Sequence, residues 1–267
     1  MSILTVHIDA VGLCGPGLES WNAGKAVIGS GIDYVSASTT IVASNLLPTA
    51  ERRRVGTAVK LALACATDAL SESIYKASEL LSIFSSSGGD GDNCHIICES
   101  LASQDRMISP TRFTNSVHNA PSGYWGIACQ AKPASTSLCA FDGSFSAGFL
   151  EACAQSITAQ SPVLLIAYDT PYPEPLRAKR PISHSFGIAL VISHQLTNAS
   201  LATVHMKLGK ATPTVVQNAD LELLRQNVPA ARCLPALQAL ASGCGRHDLV
   251  LDLFDNQQLI LDLEVLR

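Results

Sequence analysis

Apolar residues recur along the chain in short segments of strand length, and longer segments with helical spacing separate them. Strands are predicted over residues 3–9, 80–84, 135–140, 162–168, 186–193, 201–209, 248–254 and 258–264. Helices are predicted from Thr49 to residue 70 and over 95–103, 144–158 and 219–243, the last interrupted at Pro229 and Pro235. A short helix is predicted to open over residues 18–21, residues 22–47 to be irregular and 106–115 to form a loop. Strands that alternate with helices place the chain in the α/β class.

The segment around Asp142 combines a predicted strand, a tight turn and a helix packed with small residues. It resembles the nucleophile turn of β-ketoacyl synthases, where a cysteine takes the acyl chain as a thioester. The residues that match this motif are Ser135, Ser137, Gly143 and Ser144, and they place Asp142 on the position of the cysteine. The resemblance therefore implies a ketosynthase relative that has lost its nucleophile.

A carboxylate at this turn differs chemically from a thiolate. A thiol at the start of a helix becomes a nucleophile because the helix dipole lowers its pKa. An aspartate in the same place acts as an N-cap, since its carboxylate accepts backbone N–H bonds from the first helical turn. We therefore expect Asp142 to cap the following helix and to have no catalytic role.

The resemblance to β-ketoacyl synthases covers residues 1–195 and is weak beyond them. It includes the first strand with its Gly/Pro turn, the glycine-rich loop over 85–92, the turn at Asn119 and the glycine-led strand over 186–193. It implies an α/β, thiolase-like fold, layered α-β-α-β-α, in one domain over 1–267. Within that domain, 1–195 corresponds to a complete N-terminal half and 196–267 to a truncated C-terminal half.

The two histidines that ketosynthases draw from their C-terminal half are also missing. No His-Gly-Thr run occurs in the chain. His184 superficially resembles the second histidine motif, but it runs directly into a buried strand, so we expect a loop residue there. The resemblance thus implies that the nucleophile and both histidines are absent together.

Chain-length factors are the ketosynthase-like proteins that lack the cysteine and pair with an active ketosynthase. The segments 116–119 and 141–148 most resemble the small chain-length-factor-like subunit of bacterial aryl polyene biosynthesis. The resemblance implies a non-catalytic subunit that forms a heterodimer with a β-ketoacyl-ACP synthase through strand 135–140. Such a subunit shapes the acyl tunnel of its partner during polyketide or fatty-acid-like chain elongation. The residues expected to face the tunnel or the partner are Thr111, Phe113, Ser137, Cys139 and Phe141.

The composition also favours a partner protein. Charged residues make up 15% of the chain and hydrophobic residues 47%, whereas about 25% charged residues are usual in soluble domains. We expect a broad apolar face that another protein covers. A net charge of −4 argues against nucleic acid. The arginines 52–54 are a candidate contact for an acyl carrier protein.

No cofactor, metal or membrane span is expected. The apolar runs are far shorter than the ~20 residues of a spanning helix, and the first residues do not resemble a signal peptide, so we expect a cytoplasmic protein. The nine cysteines are scattered and odd in number, which favours free thiols in a reducing compartment. Cys94 and Cys98 form the only close pair, and no second pair completes a tetrahedral metal site.

Two catalytic alternatives remain open from the sequence. The segment 144–148 differs by one residue from the Gly-x-Ser-x-Gly elbow of serine hydrolases, with Ser146 as nucleophile, although Ser146 is expected inside a helix. A degenerate ketosynthase with residual decarboxylase activity would instead use Cys139. That thiol is predicted to be buried on the strand before the turn, where burial would raise its pKa.

Overall fold

All strands in the described part of the chain, residues 3–30, 34–42 and 45–267, join one mixed sheet in the computed structural model. The strands are β1 (Leu4–Cys14), β2 (Leu81–Ser85), β3 (Ser135–Leu138), β4 (Val163–Asp169), β5 (Phe186–Ser193), β6 (Ala202–Gly209), β7 (Gly245–Phe254) and β8 (Gln257–Val265). Their order is β3-β2-β4-β5-β1-β6-β8-β7. β2 is parallel to β3 and β4, and every other neighbouring pair is antiparallel. The predicted α/β class is confirmed.

The helices occupy the segments between these strands. They are α1 (Trp21–Ser30), α2 (Thr49–Arg52), α3 (Thr57–Ser71), α4 (Gly91–Ala102), α5 (Pro110–Thr114), α6 (Ala120–Cys129), α7 (Ser144–Ala159), α8 (Leu176–Lys179), α9 (Ala219–Asn227) and α10 (Leu234–Ala241). Short 3-10 turns cover Ala77–Glu79, Phe141–Gly143 and Pro229–Cys233. The predicted interruption at Pro229 is confirmed. Pro235 instead lies in the first turn of α10, where its missing N–H leaves no helical bond unmade.

Three helix predictions are wrong. The long helix from Thr49 is two helices, α2 and α3, and Thr49 caps neither of them. The break between the two helices includes Gly56, which lies close to the start of α4. A Cβ on Gly56 would come within 2.0 Å of the Asp90 carboxylate. The helix predicted to open over residues 18–21 begins at Trp21, but as α1 it continues to Ser30 through residues predicted to be irregular. Gly24 in this helix packs closely against Leu13 and Leu18. The predicted loop over 106–115 contains α5.

The sheet curls around α7. This helix contacts β1, β2, β4 and β5 and also β7, which lies at the opposite edge of the same sheet from β3. One apolar core therefore includes Phe145 and Phe149 of α7, Ile188 of β5 and Leu251 and Leu261 of the last two strands. α3 and α6 cover the other face of the first strands with a second core.

The C-terminal strands leave their outer face to solvent. Buried and exposed positions alternate along β6, β7 and β8, as expected for strands with one covered face, whereas β4 and β5 are buried throughout. Within the described residues there are four layers. Helices α3 and α6 form the first layer and strands β1 to β5 the second, α7 and α10 form the third, and β6, β8 and β7 form the fourth. The α-β-α-β-α arrangement thus stops at its fourth layer, and the curled sheet takes the place of two separate sheets.

Candidate functional site

The carboxyl ends of the three parallel strands meet at one end of the sheet. Ser85 of β2 pairs in register with Leu138 of β3 and with Ala167 of β4. The loops that leave these strands therefore lie side by side, an arrangement that commonly forms the functional site of α/β proteins. The middle of this region is the segment Cys139–Ser144, here called the Asp142 turn.

The Asp142 turn is fixed by hydrogen bonds to the Ser144 side chain. The Ser144 hydroxyl accepts from the Ala140 N–H at 3.0 Å and donates to the Phe141 carbonyl at 2.7 Å. The Ser85 hydroxyl donates to the Ser144 carbonyl at 2.6 Å, which ties the turn to β2. Ser144 is fully buried, so these bonds form without competition from water.

Gly143 allows the last strands to approach the turn. A Cβ at this position would lie 2.0 Å from the carbonyl oxygen of Leu253 in β7. Any larger residue would force the β7 backbone away from the turn. The glycine that matches the ketosynthase motif therefore has a packing role in this chain.

Asp142 is not a helix cap, and this part of the sequence prediction is wrong. The cap position of α7 is Gly143, and no side chain caps that helix. The Asp142 carboxylate instead pairs with Arg180 at 2.7 Å and with Arg232 at 3.2 Å. Each of these pairs joins two opposite charges, whereas a cap joins the carboxylate to neutral backbone N–H groups. Two guanidinium groups therefore hold the carboxylate away from the helix.

The ion pairs continue from Asp142 into the C-terminal segment. Arg232 also lies 3.6 Å from Asp252, which pairs with Arg225 at 2.6 Å. Arg225 then pairs with Glu222 at 2.7 Å and lowers the pKa of that carboxyl to about 2. The sequence did not identify Arg180 and Arg232 as partners of Asp142, because they lie far from it in the chain and no sequence motif connects them.

Asp169 makes a second connection, at the end of β4. Its buried carboxylate accepts hydrogen bonds from the Ser87 N–H at 2.8 Å, the Ala230 N–H at 2.9 Å and the Ser86 hydroxyl at 3.2 Å. Burial raises the pKa of Asp169 to about 7 despite these donors. Asp169 thus joins the glycine-rich loop after β2 to the turn before α10.

A cavity of about 490 Å³ opens beside the Asp142 turn. Its walls include Asp142, Arg232 and Asp252, together with two aromatic rings, Phe141 and Phe254. These rings are 63% and 56% exposed, respectively. The cavity thus combines a network of ion pairs with an apolar rim.

The structure places the predicted partner-facing residues in two regions. Ser137, Cys139 and Phe141 lie on β3 and the Asp142 turn, whereas Thr111 and Phe113 lie on α5. Phe113 is 67% exposed, and Thr111 lines a separate polar cavity of about 390 Å³ with Arg53, Arg54 and Arg112. The arginine group singled out from the sequence therefore lies beside Thr111.

The structure places the two alternative nucleophiles differently. The predicted burial of Cys139 on a strand is wrong: β3 ends at Leu138, and the Cys139 thiol is exposed and donates to the Ser87 carbonyl at 3.2 Å. Ser146 is fully buried inside α7, and its hydroxyl finds no hydrogen-bond partner among the described residues. A buried serine without a base cannot act as a hydrolase nucleophile.

All nine cysteines are free thiols. Cys94 and Cys98 are both exposed on α4, and His184 is a loop residue before β5, as predicted. Over residues 3–30, 34–42 and 45–267, no three His, Cys, Asp or Glu side chains come together as a metal site would require. No helix in that part of the chain has the length and apolarity needed to cross a bilayer.

Solved structures share this fold. The chain superposes with a TM-score of 0.73 on a structure of the ketosynthase ApeO in complex with its chain length factor ApeC from Xenorhabdus doucetiae, at 23% identity over 97% of this chain and 99% of that one. The ishigamide ketosynthase/chain length factor gives 0.72 at 12% identity, covering 98% and 100% of the two chains. A type II PKS acyl-carrier protein in complex with its ketosynthase gives 0.73 at 11% identity, covering 99% and 100%. The thiolase-like ketosynthase fold implied by the sequence is confirmed.

The sequence itself also identifies a family. No curated protein matches the chain. Residues 29–243, more than half of the chain, match the β-ketoacyl synthase N-terminal domain. The chain therefore belongs to the β-ketoacyl synthase family through this N-terminal domain.

Proposed function

We propose that the chain is a non-catalytic chain-length factor, which forms a heterodimer with an active β-ketoacyl-ACP synthase and shapes its acyl tunnel. The observation that carries this proposal is the ion pairing of Asp142. The position that matches the cysteine holds a carboxylate between Arg180 and Arg232. Two arginines suit a carboxylate, whereas an acylated thiol is neutral and would remove the charge that Arg180 and Arg232 share.

The free edge of β3 supports pairing with another strand. The carbonyls of Ala134 and Leu138 accept from β2 and the residue after it at 3.2 Å, so both point into the sheet. The backbone N–H and C=O groups of successive residues point to opposite edges of a strand. Those of Ser135 and Ser137 therefore point away from β2, to the open edge of the sheet. β3 contains no charged residue. An uncharged edge with free donors and acceptors is suited to pairing with a strand of the partner.

Exposed apolar side chains lie on both sides of this edge. α6 lies along β3, where the Ser122 and Ser135 hydroxyls are 2.8 Å apart, and Ile127 of the same helix is 61% exposed. Phe141 follows the strand at its other end. Protein interfaces combine apolar contacts with hydrogen bonds. The exposed apolar side chains and the polar strand edge between them supply both.

The tunnel residues of the proposal are Thr111 and Phe113 on α5, with Ser137, Cys139 and Phe141 nearer the strand edge. The carrier protein is proposed to dock at the arginines beside Thr111, since a helical carrier with acidic residues complements that charge. The superposed structures contain ketosynthases with a chain length factor or a carrier protein. Those associations support the same kind of partner for this chain.

Co-purification with a ketosynthase tests the proposal. The tagged chain is co-expressed with an active β-ketoacyl-ACP synthase, and light scattering measures the mass of the complex. We expect a one-to-one heterodimer that elongates malonyl-ACP, whereas the chain alone is inactive. Activity of the chain alone, or failure to form the complex, contradicts the proposal.

Restoring the thiol gives a second test. Asp142→Cys should not yield a condensing enzyme. The two guanidinium groups would lower the pKa of the thiol, but the two histidines of the family are expected to be missing. Transfer of radiolabelled acyl groups from acyl-ACP measures this, with Asp142→Ser as the matched control. Sustained product formation by Asp142→Cys would show that the rest of the active site is intact.

The exposed thiol of Cys139 supports one second candidate, residual decarboxylation of malonyl groups. It is the first residue of the Asp142 turn, and its thiol is exposed. Iodoacetamide blocks such a thiol, so Cys139→Ser and alkylation should each abolish any carbon dioxide release from malonyl-ACP. Release that survives both treatments excludes Cys139 as the nucleophile.

A further inference from the structure

Phe141 has an unusual backbone conformation for an exposed aromatic residue. Its φ is +52°, in the left-handed region that disfavours any residue with a Cβ. The residue is 63% exposed, so burial within this chain does not account for the conformation. A strained residue that persists must be held by its surroundings, and such residues cluster at functional surfaces.

Arg180 supplies the support. Its guanidinium carbon lies 3.8 Å from the centre of the Phe141 ring, the distance of a cation–π contact. The same guanidinium donates to Asp142 at 2.7 Å and to the Ser87 hydroxyl at 2.6 Å. Arg180 is therefore fixed on one side by the Asp142 turn and on the other by the loop after β2.

We propose that Arg180 is a positioning residue, which holds the Phe141 ring in place as the anchor that enters an apolar pocket of the ketosynthase. This inference rests on the proposed heterodimer and names the side chain that secures it. Asp142 then has a definite task, because its carboxylate holds the guanidinium against the ring. The position matching the lost cysteine serves recognition of the partner.

The place of Phe141 in the fold fits an anchor. It lies three residues beyond the end of β3, so a strand that pairs with this edge passes beside the ring. Aromatic side chains dominate the binding energy of protein interfaces when they fill a pocket at the centre of the contact. A ring that is already ordered before binding loses less conformational freedom on association, which increases affinity.

A double-mutant cycle on the full chain and its ketosynthase tests this role. Phe141→Ala should raise the Kd about 30-fold or more. Arg180→Met, which keeps the aliphatic stem, should raise it about fivefold because the ring is no longer ordered. In the Phe141→Ala background, Arg180→Met should add no further loss. An equal loss in both backgrounds shows that Arg180 acts independently of the ring and overturns the inference.

Leu196→Ala is the matched control for exposed apolar area. Leu196 is 61% exposed and follows the far end of β5, at the opposite end of the strands from Phe141. We expect no change in Kd. Binding by the wild type with no effect of Phe141→Ala overturns this inference alone, whereas no binding by the wild type overturns the heterodimer as well.

A measurement on the free chain excludes general unfolding as the explanation. 4-Fluorophenylalanine at position 141 reports ring order through the width of its fluorine NMR line. The line should narrow and move toward the free amino acid in Arg180→Met, and also in Asp142→Asn, while the melting temperature stays within a few degrees. An unchanged line in a folded Arg180→Met variant shows that Arg180 does not hold the ring.

Discussion

The two edges of the sheet differ in how they meet solvent. β3 is four residues long, uncharged and open, and its outward backbone groups have no strand beside them in the described part of the chain. β7 is ten residues long and carries Arg246, Asp248 and Asp252. Thr214 also covers part of its edge, since its N–H and the Val250 carbonyl form a bond of 2.9 Å.

This difference indicates which edge is available for another chain. Charged side chains, irregular register and a covering loop are the usual protections against unwanted strand pairing. β7 has all three, including a register shift between Asp252 and Phe254. β3 has none of these three protections, although a strand as short as β3 offers only a few hydrogen bonds to a pairing strand. The open edge is therefore the one that a specific partner would use.

The largest effect is expected from a proline in β3. Ser137→Pro removes an N–H that points out of the sheet while leaving the bonds between β3 and β2 in place. If β3 pairs with the partner as proposed, loss of this hydrogen bond leaves a partner carbonyl without a donor and should weaken the proposed heterodimer by up to ~100-fold. Isothermal titration with the ketosynthase measures the change.

Asp248→Pro is the control for this substitution at the protected edge. It places the same residue at an outward position of β7, so the heterodimer should form as in the wild type. Equal losses from both prolines would mean that the two edges do not differ in function.

A smaller effect, on stability, is expected where the β3 end of the molecule touches β7. Gly143→Ala would place a methyl group 2.0 Å from the Leu253 carbonyl. We expect the free energy of unfolding to fall by about 3 kcal/mol, because neither backbone can move freely. Urea unfolding followed by circular dichroism measures it.

Gly123→Ala provides the comparison for that experiment. Gly123 lies in α6, and a Cβ added there would meet no described atom within 4 Å. Alanine should stabilise the helix by about 0.5–1 kcal/mol. Opposite signs for the two glycine substitutions would establish that contact with β7 is the cause.

A last effect concerns the pH dependence of stability at Asp169, which joins the loop after β2 to the turn before α10. The pKa of Asp169 is raised by burial to about 7, so the folded state holds a proton that the unfolded chain releases near pH 4. The free energy of unfolding should therefore fall as pH rises from about 4 to 7 and then stay level. Asp169→Asn should remove this slope. A slope that persists in the variant assigns the titration to another group.

The strands and the family fold were accessible from the sequence because their signals are local. β5 begins and ends at the predicted residues, and β2, β4, β6, β7 and β8 differ by only a few. The helices rich in small residues were less accessible, since α1 packs with glycine and alanine positions that carry little apolar contrast. The single domain over 1–267 stays a prediction.

Only part of the candidate site could be predicted from the sequence. A motif located Asp142, but the predicted role as a helix cap is wrong, because two arginines hold its carboxylate instead. The partners themselves, Arg180 and Arg232, come from segments 38 and 90 residues beyond position 142. Such pairs depend on how the sheet curls, which neither periodicity nor spacing encodes.

The position of α7 between two parts of a single sheet constrains how this chain can change. Phe145, Gly148 and Cys153 are surrounded, so the thickness of this helix sets the separation of the strands on either side. Gly148 already lies so near β2 that a Cβ would come within 2.8 Å of Ser85. One added methyl group would push the end of β3, which leads into the Asp142 turn, away from the end of β7, which contacts that turn. Mutational tolerance should therefore be lowest in this helix, and variation should concentrate on the solvent-facing side of the last three strands.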